Sequence, residues 1–132
     1  VANAVFPKAK QAMLGGDVAL DTDDVRVMLV KSTYTYDGTD EFVADLGAVD
    51  NGRSAALGSK TLTNGTFDAA DTTLTATDAE ACAALVVFIH TGSDATARLL
   101  AFIDTPTSGL PFTPSAGQSV PITFNASGIF AL

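Results

Sequence analysis

The chain reads as one mainly-β domain spanning residues 1–132, an antiparallel β-sandwich or jelly-roll-like barrel with one short N-terminal helix and a second single-turn helix. Three observations carry that reading. Two apolar runs rich in β-branched and aromatic residues, Leu85 to Thr91 and Ala97 to Thr105, flank the small turn formers Gly92 to Thr96, the pattern of a hairpin. Ala, Thr, Gly and Asp are abundant while Lys and Glu are scarce, which suits short strands and tight turns over a helical bundle. Apolar residues fall at helical spacing only in two short stretches.

In chain order, Val1 to Phe6 is extended, and Pro7 opens a helix over Lys8 to Leu14, with Ala9, Ala12 and Met13 on one side and Gly15-Gly16 as the stop. At about two turns this helix needs docking to persist. Residues 1–16 thus form an N-terminal arm. Asp17 to Asp24 is an acidic turn, and Val25 to Val30 is a strand with Val25, Val27 and Leu29 on one face. Tyr34 and Tyr36 alternate with Thr33 and Thr35. Thr39 is placed to cap the second helix, which runs from Phe42 to Leu46. Asn51-Gly52 signals a turn within a loop from Gly47 to Gly52. Asn64-Gly65 signals a two-residue hairpin joining Ser59–Thr63 to Thr66–Asp68.

In the hairpin of residues 85–105, a register with Thr91 opposite Ala97 pairs Ile89 with Leu99, Val87 with Ala101 and Leu85 with Ile103. Its other face pairs Phe88 with Leu100 and Val86 with Phe102, then reaches polar rungs at His90–Arg98 and Ala84–Asp104. Strands apolar on both faces belong between layers or at an interface. Pro106 to Gly117 forms a crossover loop pinned by Leu110 and Phe112. Ser119 to Phe124 returns as a strand that Pro121 confines to an edge or bulge. Asn125 to Gly128 turns, and the apolar C-terminus ends as a short strand.

The charge balance is one-sided: 15 Asp plus Glu against 7 Lys plus Arg, a formal net charge of −8. Such a surface repels phosphate backbones and anionic bilayers, so neither nucleic acid nor membrane is expected as a partner. No window reaches the ~18 apolar residues of a membrane span, and the N-terminus has no apolar core resembling a secretory signal.

Catalytic constellations are sparse. His90, the only histidine, has Asp94 or Asp104 as a potential orienting acid, yet no Ser or Thr is marked as a nucleophile. It reads as a strand-end residue beside Arg98. One His and one Cys cannot make a zinc site. Asp21-Thr22-Asp23-Asp24 begins like a calcium loop, but Arg26 and Ser32 stand where Gly and Glu are required. Asp68, Asp71 and Asp78 read as turn residues, and Cys82, in small apolar surroundings, as a buried structural thiol. Gly15-Gly16-Asp17 follows a helix and so cannot cradle phosphate as a Gly-rich turn before a helix does. The glycosylation triplets at Asn64 and Asn125 lack a secretory context. The expectation is a non-enzymatic protein without cofactor or metal.

The segments FPKAKQAMLGGDV, DDVRVMLV, DEFVADL, LVVFIHTG, RLLAFIDT and LPFTP…ITFNASGIFAL, in that order, resemble a family of small tailed-bacteriophage virion structural proteins. The resemblance covers most of the chain, and its motifs are structural rather than catalytic. It implies a component made in the host cytoplasm and built into or displayed on the virion. An acidic domain with a helical arm suits a capsid decoration (cement) protein on the head. The expected partners are the major capsid protein and further copies of the chain, a homotrimer being favoured. Val5, Phe6, Lys8 and Lys10 are the expected capsid-contacting residues, because two of only seven cations cluster there and imply an acidic partner. A helix packed on its own domain is the alternative. Two competing functions are a neck or tail subunit, and a host-surface or carbohydrate-binding module of a fibre. The latter is weakened by the absence of Trp and the presence of only two Tyr.

Overall fold

A computed structural model describes residues 4–104, 113–124 and 128–131. The expected crossover pins Leu110 and Phe112, and the turn beginning at Asn125, lie outside the described residues.

The main sheet has five antiparallel strands: β1 (Ala4–Val5), β2 (Val25–Lys31), β3 (Asp50–Arg53), β7 (Cys82–Ile89) and β8 (Leu99–Ile103), in spatial order β1-β8-β7-β2-β3. Of the rest, β4 (Thr61–Thr63), β5 (Thr66–Asp68) and β10 (Phe130–Ala131) form a three-stranded sheet, while β6 (Thr72–Thr75) and β9 (Ser119–Ile122) form a two-stranded one. A single buried cluster takes in residues of all three, from Phe6 and Val87 to Phe67, Leu74, Val120 and Ile129. The protein is therefore mainly antiparallel β with a sandwich-like arrangement, as its composition predicts.

The apolar hairpin lies at the centre. Strand β7 is flanked by β2 and β8, and every residue of β8 is buried, so side chains on both faces meet protein. Its expected register holds for Leu85–Ile103, Val86–Phe102 and Val87–Ala101, then slips by one, so that Phe88 faces Leu99. Leu100 is the extra residue of a β-bulge. This corrects the expected Ile89–Leu99 and Phe88–Leu100 pairs: Ile89 N–H donates to the Arg98 carbonyl instead (2.9 Å). The bulge buries Leu99 and Leu100 alike, and it leaves the Leu100 carbonyl to accept the Phe6 N–H (3.0 Å).

Helix α1 (Pro7–Leu14) starts at its proline, buries Ala9 and Ala12, and ends where Gly15 and Gly16 donate to the carbonyls of Gln11 and Met13. The second helix is a single 3₁₀ turn, Val43–Leu46. Thr39 does not cap it; its N–H and hydroxyl both engage Asp37. The turn is closed by Asp45, whose carboxylate accepts from the N–H groups of Glu41 (3.0 Å) and Phe42 (2.9 Å). Those bonds hold the Asp45 carboxyl below its ordinary value.

Two Asn-Gly pairs diverge. Asn64 (φ 51°) and Gly65 (φ 78°) make the expected tight turn between β4 and β5. Asn51-Gly52 makes no turn at all. It lies inside β3, whose Asp50 and Arg53 pair with Val30 and Met28 of β2 across a register shift, which corrects the expected loop. Pro121 falls in the two-stranded sheet opposite Thr73, at an edge as its missing N–H requires.

Candidate interaction surface

The N-terminal arm is docked on its own domain. Val5 pairs with Ala101 and Ala4 with Phe102, extending the main sheet by one short strand. Phe6 is fully buried and packs on Tyr36, with ring centroids 5.1 Å apart. Tyr36 in turn meets Phe102 at 5.4 Å, and Tyr34 meets Phe102 at 6.0 Å. The Tyr34 hydroxyl donates to Asp40 (2.9 Å) and accepts the Asp37 N–H (3.3 Å). Burial, above all, pushes the Tyr34 phenol and the Asp40 carboxyl upward. Both tyrosines are half-buried with one side of the ring packed on this cluster, fastening segment 32–41 over the root of the arm. A sugar platform needs such rings free.

The four residues expected to contact a partner separate accordingly. Phe6 faces inward and is unavailable while α1 stays docked; Val5 is half-buried; Lys8 and Lys10 are exposed. The other cations are committed internally. Arg26 forms a two-pronged pair with Asp24. Lys31 meets Asp78 at 2.7 Å, and Arg98 reaches Glu41 at 3.3 Å while its guanidinium lies over Phe42. Lys60 donates to the Asp23 carbonyl. Arg53 grips Asp94 with both terminal nitrogens (2.8 and 2.9 Å) and Asp50 with Nε, while lying over the Phe88 ring. Its bonds to Asp94 hold that carboxyl below its ordinary value. Among the described residues, Lys8 and Lys10 are the cations with no internal partner.

The two lysines flank α1. Lys10 borders a groove of about 590 Å³ together with Val5, Pro7, Tyr36, Ile103 and Phe130. Lys8 borders a smaller cleft of about 260 Å³, shared with Gln11, Gly15, Asp17, Glu41 and Arg98. Leu14, at the outer end of the same helix, is 91% exposed.

The other candidates resolve into structural roles. The His90 N–H donates to the Asp24 carbonyl at the end of the sheet (2.7 Å). Asp23 accepts the Ala19 N–H, Asp68 the Ala69 N–H and Asp71 the Phe124 N–H, all local or bridging backbone contacts. Among the described residues no cluster of His, Cys, Asp or Glu is arranged to hold a metal ion. Cys82 is buried, as expected, and burial raises its thiol pKa. The residue that sequence reasoning missed is Asn51, which is fully buried. Its Nδ2 donates to the Glu80 carbonyl (3.2 Å) and to Cys82 Sγ (3.0 Å), and its Oδ1 accepts the N–H groups of Thr77 (3.1 Å) and Asp78 (2.7 Å). A polar residue in a strand whose partner lies far away in sequence leaves no local signal.

Comparison with family models, curated proteins and solved structures yields no match.

Proposed function

We propose that this chain is a structural component of a tailed-phage virion: a decoration protein that stabilises the head by bridging major capsid subunits. The observation that carries the reading is the docked helix α1, which presents the two cations without internal partners on an otherwise acidic chain of net charge −8. Among the described residues every other cation is spent holding the domain together, so these two are the ones left for a neighbour. The resemblance of segments along most of the chain to virion structural proteins supports the same reading. Val5 and Lys10, beside the larger groove, and Lys8, on the opposite flank, are the contact residues for an acidic coat surface. Phe6 serves them from inside by anchoring the arm.

Many copies, each bound weakly, stabilise a shell by mass action, because every bound copy raises the free energy needed to separate the subunits beneath it. A homotrimer suits threefold junctions of coat subunits. The test is a particle assembled without this chain. It should keep its tail yet release its genome at lower temperature or lower ionic strength than the complete particle. Tailless heads would overturn the reading in favour of a neck or tail subunit.

A further inference from the structure

Helix α1 carries its charges at the wrong ends. Lys8 lies in the first turn, where the helix dipole is positive, and no acidic residue is present there. Asp17 lies beyond the negative end, two glycines after Leu14, and no basic residue occupies the last turn. Asp17 is held in place by its N–H donating to the Ala12 carbonyl (2.9 Å). Lys8, Gln11, Gly15 and Asp17 border one cleft and so share one flank of the helix. Glu41 and Arg98 also border that cleft, but they are paired with each other. Leu14, 91% exposed, projects from the outer surface of the helix between this flank and Lys10, which stands four residues before it.

For a single copy this arrangement is unfavourable in three ways: a cation at a positive pole, an anion at a negative pole, and a leucine in water. A second copy removes all three at once. In an antiparallel pair of α1 helices whose two-fold axis passes between Ala12 and Met13, Lys8 of one copy comes level with Asp17 of the other, twice. Gln11 comes level with Leu14. Each lysine then lies at the carboxyl end of the neighbouring helix and each aspartate at its amino end. Each leucine lies over a glutamine stem.

We propose that the Lys8–Gln11–Leu14–Asp17 flank of α1 is a self-association surface that pairs two copies of this chain about a two-fold axis. The pairing does not depend on the virion reading; a copy paired in this way has its Lys8 engaged by the neighbouring copy and keeps Val5 and Lys10, beside the other groove, for a coat surface. A two-fold contact of this kind joins copies whether or not a separate threefold association exists. With a helix of only two turns at its centre the contact is weak, and it gains most where copies are concentrated.

The experiment is sedimentation of the purified chain across a range of concentrations, with folding of every variant checked by thermal melting. The wild type should associate, and Lys8→Asp or Asp17→Lys alone should weaken association by about tenfold or more, because each sets like charges together. The double exchange Lys8→Asp with Asp17→Lys should restore it. Thr63→Asp, on the exposed strand β4, should leave it unchanged. Cys introduced at Gln11 should be trapped as a covalent pair by a short bis-maleimide, whereas Cys introduced at Thr63 in the β4–β5 hairpin should not. A chain that stays monomeric at every concentration overturns the proposal. So does association indifferent to Lys8 and Asp17, or a double exchange no better than either single change.

Discussion

The two Asn-Gly pairs of this chain share a sequence and almost nothing else. At Asn64-Gly65 both residues take positive φ, the flanking threonines pair with each other, and the asparagine side chain is exposed. At Asn51-Gly52 the flanks pair with a distant strand, the asparagine is wholly buried, and its amide bonds groups from Thr77 to Cys82. Gly52, at φ 121°, lies against the carbonyl of Thr75, where a side chain would overlap that oxygen. In the first pair glycine supplies backbone freedom and asparagine tolerates a left-handed conformation. In the second, glycine supplies space and asparagine supplies hydrogen bonds. The dipeptide marks a turn only where the residues on its two sides are able to pair with one another.

The largest expected effect is at Gly52. Gly52→Ala combines a backbone conformation unfavourable for alanine with a clash against a fixed carbonyl, and should cost about 3 kcal/mol or more. Denaturant midpoints measure it, and a near-neutral result would mean that β3 and β6 are not in close contact. Asn51→Ala comes next. It strands the Asp78 N–H, leaves the Thr77 N–H only a long bond to the backbone carbonyl of residue 51 (3.4 Å), and should cost about 2–4 kcal/mol, with faster amide exchange confined to that segment. Gly65→Ala should cost only about 1 kcal/mol, the penalty of one left-handed alanine, and Asn64→Gly should lie within about 0.5 kcal/mol of wild type. Equal costs at positions 51 and 64 would erase the distinction between the two pairs.

The smallest effect concerns the residue after Gly52. Arg53 holds Asp94 ionised below the usual carboxylate range, so their bond stabilises the protein fully above the unfolded aspartate pKa of about 3.9. That contribution is lost as pH falls through the lower folded value. Asp94→Asn should therefore lower the urea midpoint slightly at pH 6 and leave no difference at strongly acid pH. Half of the Asp94 side chain is exposed, which keeps the effect small.

What was legible in the sequence follows from the range of the interactions. Strands β2, β7 and β8 could be read because burial on both faces demands continuous apolar residues. Helix α1 and the Asn64 hairpin could be read because their signals, Pro7, Gly15-Gly16 and Asn-Gly, act within a few residues. Pro121 placed β9 at an edge through its missing N–H alone. Strand β3 was illegible: Asp50-Asn51-Gly52-Arg53 has no apolar face, and it becomes a strand only because β2 lies beside it and the segment around Thr77 binds its asparagine. The bulge at Leu100 was hidden for a related reason. An unbroken run of apolar residues looks the same in either register, and here an arm almost a hundred residues away uses the displaced carbonyl. At the candidate surface, the clustered lysines were visible in the sequence. That every other cation would be occupied internally was not, because those partnerships join residues such as Arg53 and Asp94 across the fold.

Strand β1 adds only two residues to the main sheet, yet it lies along the outer side of β8 and is followed at once by the anchor Phe6. Trimming the chain back to Lys8 would strip that cover from a fully apolar strand and open a row of backbone donors and acceptors to any extended polypeptide nearby. Purification handles and proteolytic nicks near the amino end thus carry a precipitation hazard that the same changes in the polar β4–β5 hairpin would not.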